Sequence, residues 1–146
     1  MADAAMHQGH CLCGAVQVTA RDLGDHIGAC FCDLCSRAGG GVELGIEAAP
    51  DGVTLTGPVK VHRSSRLAER AWCDTCGSPV FTRYVEGRDA GYMELSPGLF
   101  ENAAGRRLTR VVYADRAPDG LNFAGPHERV SQNDYEAENP HLNEEV

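Results

Sequence analysis

Seven cysteines fall in three tight clusters, and that spacing constrains this chain more than any other feature. The clusters are Cys11-x-Cys13, Cys30-x-Cys32-x-x-Cys35 and Cys73-x-x-Cys76. Thiols this close converge on a soft cation more readily than they pair with one another. The number is odd, so complete disulfide pairing is impossible. In a reducing compartment such clusters read as metal ligands before they read as bridges. Seven divides into four plus three, a closed site and an open one.

Cys11 and Cys13 sit on one turn before a strand, and Cys73 and Cys76 on another. Two such turns far apart in sequence can clamp one zinc and staple the domain, a contribution made directly to folding. The alternatives are reduced core cysteines, or Cys30 or Cys32 standing in for one partner. Cys30, Cys32 and Cys35 then remain. Three thiolates leave a zinc with a vacant fourth position, which catalysis needs. The same three could instead form another structural site completed by His62, His10 or His127, or a set of empty reduced thiols. Three thiolates also make zinc a poorer Lewis acid than three histidines would, which suits activating a thiol better than activating water.

The rest of the chain reads as short strands between frequent turns, a mainly β class. Alternation predicts strands over 15–20, 26–29, 42–48, 80–85, 91–95 and 108–114, with Val42, Leu44 and Ile46 inward. Residues 53–56 and 59–62 read as a hairpin around Gly57-Pro58. Residues 64–69 read as a polar connection. No segment carries a helical stripe over ten residues or more. The expected organisation is a flexible start at 1–8, one zinc-binding domain over 9–130, and an acidic tail at 131–146 that is disordered or loosely docked.

At 146 residues the chain suits one domain with a real core. Its net charge of -8 argues against nucleic acid and against an anionic membrane surface. No apolar run reaches the about 20 residues of a membrane span, and the start lacks the basic and apolar regions of a signal peptide. The expected location is the cytoplasm.

Gly9-His10-Cys11-Leu12-Cys13-Gly14-Ala15-Val16, then Cys30-Phe31-Cys32-Asp33-Leu34-Cys35, then Trp72-Cys73-Asp74-Thr75-Cys76-Gly77 follow in order. As an ordered set they resemble the glutathione-dependent formaldehyde-activating enzyme family, which includes centromere protein V-like domains. The resemblance covers roughly residues 9–130. It implies coiled antiparallel sheets arranged like a tent. It implies a structural zinc on Cys11, Cys13, Cys73 and Cys76, and a catalytic zinc on Cys30, Cys32 and Cys35. The implied reaction joins glutathione to formaldehyde, a carbon–sulfur lyase reaction in reverse, with a thiol and an aldehyde as small-molecule partners.

The chain departs from the family pattern at Phe31, often His, at Ser36, usually Arg, and at Gly39 to Gly41. These positions lie beside the open site and bear on substrate rather than on metal. For glutathione, the N–H groups of Gly39 and Gly40 are candidate carboxylate holders, and Arg37 or Arg66 candidate partners for the other carboxylate. His26, His62 and Tyr113 are possible neighbours of the pocket. The competing functional reading is a non-catalytic zinc-binding module that engages a protein partner.

Overall fold

The computed structural model describes residues 5–144, with side chains described as far as 142. The described residues form eleven strands in two sheets. Strands β1 (His7–His10), β2 (Gln17–Ala20) and β5 (Val53–Thr56) make a small sheet in the order β1-β2-β5. The large sheet runs β11-β10-β3-β4-β9-β8-β7-β6. Its members are β3 (His26–Cys30), β4 (Glu43–Ala48), β6 (Val59–Arg63), β7 (Ala68–Cys73), β8 (Pro79–Tyr84), β9 (Met93–Leu95), β10 (Arg107–Val112) and β11 (Glu128–Val130). Two short helices interrupt the strands, α1 (Asp33–Gly39) and α2 (Gln132–Glu138). The class is mainly β, as the strand pattern predicts. The pairings of β10 with β3 and with β11 are parallel, whereas antiparallel sheets were expected.

Alternation sets the two faces of the large sheet. Ile46, Ala48, Met93, Leu95, Phe81, Ala71 and Cys73 turn to one side and bury in one core with Val16, Val18 and Ala20 of the small sheet. Full burial of each large aliphatic side chain stabilises the fold by about 1.5–3 kcal/mol. On the other side, Glu43, Gly45 and Glu47 of β4 face an open cleft. A second apolar cluster of Ala29, Phe31, Val111 and Ala114 lies toward the β10 edge.

Several expectations change here. Residues 53–56 and 59–62 are not a hairpin: β5 pairs with β2, and β6 pairs with β7 in the other sheet. Gly57, at φ 98°, hands the chain from one sheet to the next. Leu44 is on the same side as Ile46 but is exposed, because it lies past the cover of the small sheet and borders a second cleft. The polar connection at 64–69 contains buried Leu67 and Ala68 and opens β7.

The ends are also more ordered than the composition suggests. His7 and Gln8 pair with Ala20 and Thr19; residues 1–4 of the expected flexible start lie outside the described residues. Within the expected tail, α2 is capped by Ser131, whose hydroxyl accepts from the Asp134 N–H at 3.1 Å. It docks through Tyr113 Oη donating to Glu136 at 2.9 Å and Arg88 donating to Asn139 at 2.9 Å. Its acids find partners on the body of the domain, which acidity alone does not reveal. Residues 145 and 146 lie outside the described residues. Among the described residues no helix is long and apolar enough to cross a membrane.

Candidate metal centres and the cleft between them

The first cluster gathers Cys11, Cys13, Cys73 and Cys76, with all four sulfurs within 4.8 Å of one another. Zn–S bonds of about 2.3 Å in a tetrahedron place sulfurs about 3.8 Å apart. The observed Cys11–Cys13 and Cys13–Cys73 separations are 3.6 and 3.9 Å. Each pair rides on a tight turn closed by a glycine in the left-handed region. Gly14 donates to Cys11 O at 3.1 Å with φ 84°, and Gly77 to Cys73 O at 2.8 Å with φ 82°. Ser78 ties the two turns together, accepting from Leu12 N at 2.9 Å and lying 3.1 Å from Cys76 Sγ. Hydrogen bonding by Ser78 holds the Cys76 thiol down at about 5, so it is a thiolate at neutral pH. The donor set fits zinc.

The second cluster is Cys30, Cys32 and Cys35, again with sulfurs within 4.8 Å of one another. Cys30 ends β3, a strand held between β4 and β10. Cys32 caps α1, its Sγ accepting from Cys35 N at 3.3 Å. Cys35 sits in the first turn of that helix. Phe31, between them, is buried and packs on Phe123 at 5.9 Å. Hydrogen bonds from the Cys30 and Cys35 thiols, then from backbone N–H groups, hold Cys32 far below the ordinary thiol range. Cys30 and Cys35 are pushed up, chiefly by their side-chain hydrogen bonds within the trio, with burial adding to both. One thiol ionises readily and the other two resist, so a full trio of thiolates calls for a compensating cation. Among the described residues no fourth His, Cys or carboxylate joins the set. His10 instead meets Cys11 O at 2.7 Å and His127 meets Gly125 O at 3.0 Å.

Cys30 and Cys35 open onto a cleft of about 480 Å³ on the exposed side of the large sheet. Its floor carries Glu43, Glu47 and Glu94, with Arg70 beside Cys35. A match to the family described as glutathione-dependent formaldehyde-activating enzyme spans residues 6–115. The chain belongs to that family. An uncharacterized lyase of Schizosaccharomyces pombe is 24% identical over 119 residues, covering 81% of this chain and 85% of that protein. A crystal structure of a Rhodobacter sphaeroides protein superposes with a TM-score of 0.51 at 19% identity, covering 70% of this chain and 99% of that one. The second likeness speaks to the fold alone.

Of the four candidate glutathione contacts, none lines the cleft beside Cys30 and Cys35. Arg37 is exposed in the last turn of α1, and Gly40 caps that helix at φ 78°. Gly39 borders the second cleft, and Arg66 lies 3.7 Å from Glu86. His26 lines the first cleft and His62 the second. Tyr113 donates to Glu136 at 2.9 Å, and burial, that carboxylate and then Cys32 and Cys30 together push its hydroxyl up.

Arg70, Glu43, Glu94, Tyr92 and Tyr135, which no sequence motif singles out, line the first cleft. Glu43 could have been found, since the strand 43–48 alternates Glu43, Gly45, Glu47 against Ile46 and Ala48. Burial, followed by the nearby Glu43 and Glu47 carboxylates, pushes Glu94 up to about 7, although Tyr92 Oη donates to it at 3.1 Å. Burial above all, with the sulfur of Cys30 adding to it, pushes Tyr135 up to about 12, so it remains a protonated donor. Tyr135 and Leu142 close the outer side of the cleft from beyond the family-matched range.

Proposed function

We propose that this protein is a zinc-dependent carbon–sulfur lyase-type enzyme that joins a glutathione-like thiol to a small aldehyde such as formaldehyde. The family membership and the lyase name of the yeast relative support the reaction class. The observation that carries the proposal is the placement of Cys30 and Cys35 on an open cleft with no fourth protein ligand among the described residues. Cys11, Cys13, Cys73 and Cys76 would hold a structural zinc, and Cys30, Cys32 and Cys35 a second one. A zinc ion at the second site supplies a Lewis-acidic seat that favours the thiolate form of an incoming thiol.

The chain's own groups do the remaining work. Glu94, with its carboxyl near neutrality, is suited to take the thiol proton and return it to the oxygen of the new hydroxymethyl group. Tyr92 Oη holds that carboxyl in place. Tyr135 and Leu142 limit water at the mouth.

Charge in the cleft bears on how the thiol lies. Among the described residues neither Glu47 nor Glu94 has a cation within ion-pair distance. Arg70 is held by Glu43, and Arg110 by Glu128 at 3.0 Å and Glu138 at 3.7 Å. A carboxylate meets like charge on this wall, and an ammonium meets opposite charge. Glutathione carries both, and we place its ammonium, rather than its carboxylates, toward Glu47, leaving Glu94 for the proton.

NMR exchange between glutathione and formaldehyde, with and without the zinc-loaded protein, tests the proposal. Accelerated exchange is expected, and N-acylated glutathione should react less well. No acceleration by fully loaded protein would leave a zinc-stapled scaffold in place of an enzyme.

A further inference from the structure

Arg70 reaches the three-cysteine site from β7, the strand that ends in Cys73 of the other site. Its side chain is only 14% exposed. Nε and Nη2 donate to Glu43 Oε2 at 3.1 and 3.0 Å, and Nη1 donates to Ser64 Oγ at 2.6 Å. Nη2 also donates to Cys35 Sγ at 3.5 Å. Glu43 is fixed in turn, since Thr82 Oγ1 donates to its other oxygen. The ladder between β4 and β9 begins only at Ile46. Arg70 is paired with Thr82 of β8, which is paired with Glu94 of β9, so the Arg70 and Glu43 side chains reach each other across the cleft face over two intervening strands.

A staple between β4 and β7 would be complete with Glu43 and Ser64. The N–H aimed at sulfur is additional, and it bears on metal chemistry. Three thiolates around a divalent ion leave one net negative charge and donate strongly. A hydrogen bond to a ligating sulfur draws density from it. The Glu43–Arg70 pair is neutral as a whole, yet its cationic end faces the sulfur. Its planar fork serves carboxylate and sulfur together, which a lysine cannot do.

We propose that Arg70, aimed by Glu43, is a positioning residue of the three-cysteine site: its bond to Cys35 Sγ restrains that sulfur's donation and keeps a metal held there electrophilic. This inference rests on the metal-site reading above.

Cobalt(II) provides the test, loaded at the three-cysteine site of protein that retains zinc at the four-cysteine site. Arg70→Met, which leaves Glu43 and the net negative charge of the site uncompensated, should bind the cobalt about 10–100-fold more weakly, and its sulfur-to-cobalt charge-transfer band should move to lower energy as the sulfur donates more. Arg70→Lys should fall between it and the parent. Ser64→Ala, which removes a contact to Arg70 without touching sulfur, should leave both readouts unchanged. A folded Arg70→Met with reduced thermal stability but parental affinity and band would overturn the proposal. Should that variant fail to fold, an Arg70→Lys protein with a parental band would overturn it equally. Absent thiol–aldehyde exchange in a parent protein that shows the expected cobalt behaviour would sink the enzymatic reading and leave this one standing.

Discussion

Glu47 and Glu94 stand directly opposite each other across β4 and β9. Burial is the main cost of ionising Glu94, and the like charges of Glu43 and of Glu47 opposite it add to that cost. Its carboxyl is pushed up to about 7 from an ordinary 4.5. A raised pKa means the folded state holds the proton more tightly than the unfolded chain. That contribution is complete below the ordinary value and is lost as pH rises through about 7. Zinc-saturated protein should therefore lose thermal stability as pH rises from the ordinary 4.5 to about 7, and level off above that. Glu94→Gln should flatten the dependence and raise Tm at the upper end by about 2–5 °C. Thermal unfolding followed across that range checks both. The same variant should lower kcat by about 100-fold if Glu94 moves the proton.

The two cysteine clusters should fail differently. Cys73 is fully buried at the junction of the turns, and a closed zinc site contributes about 10–16 kcal/mol in small domains. Cys73→Ser should cost the fold. Cys32→Ser should keep the strand signature in circular dichroism and lower the zinc content from two per chain to one. Metal analysis with circular dichroism reads both outcomes, and the opposite pattern would reverse the division of the cysteines.

Tyr135 reaches the cleft from α2, packing on Tyr113 at 5.5 Å between ring centres. Tyr135→Ala should raise KM for the thiol by about 3–10-fold, the scale of one aromatic contact. A chain ending at Val130 should accept bulkier thiols than the full one does, with zinc content unchanged. Steady-state kinetics over thiols of graded size distinguishes a wall from a bystander.

Gly57 carries a left-handed backbone, and a Cβ there would run into the carbonyl oxygen of Ala15. Gly57→Ala combines that strain with a backbone clash that no side-chain movement relieves. A loss of about 2–4 kcal/mol in denaturant unfolding is expected. Gly91, also left-handed but with open space where its Cβ would go, provides the milder comparison.

The cysteine spacing made the two sulfur clusters legible, because positions on tight turns are a local property. Cys11 with Cys13 and Cys73 with Cys76 come together as the pattern anticipates. Strands with clean alternation, such as the one holding Val18 and Ala20, were legible for the same reason. Partners were not. Nothing local in Val53–Thr56 and Val59–Arg63 says that they belong to different sheets, and the parallel pairing of β10 with β3 joins residues about eighty apart. Arg70 escaped notice because its meaning depends on Glu43, Ser64 and Cys35 arriving from three other segments. The positions beside Cys35 in sequence, Arg37 and Gly40, look inviting, but the helix they end carries them away from the cleft.

The place of β3 between β4 and β10 also sets a timetable. On the ribosome, all four sulfurs of the clamp have emerged once residue 76 is free, while the strand that flanks Cys30 on its far side is still unmade. Domains fold from the N-terminal side as they are synthesised. On the proposed reading the clamp could load an ion on the nascent chain, whereas the three-cysteine site is walled in only when Val112 closes beside Cys30.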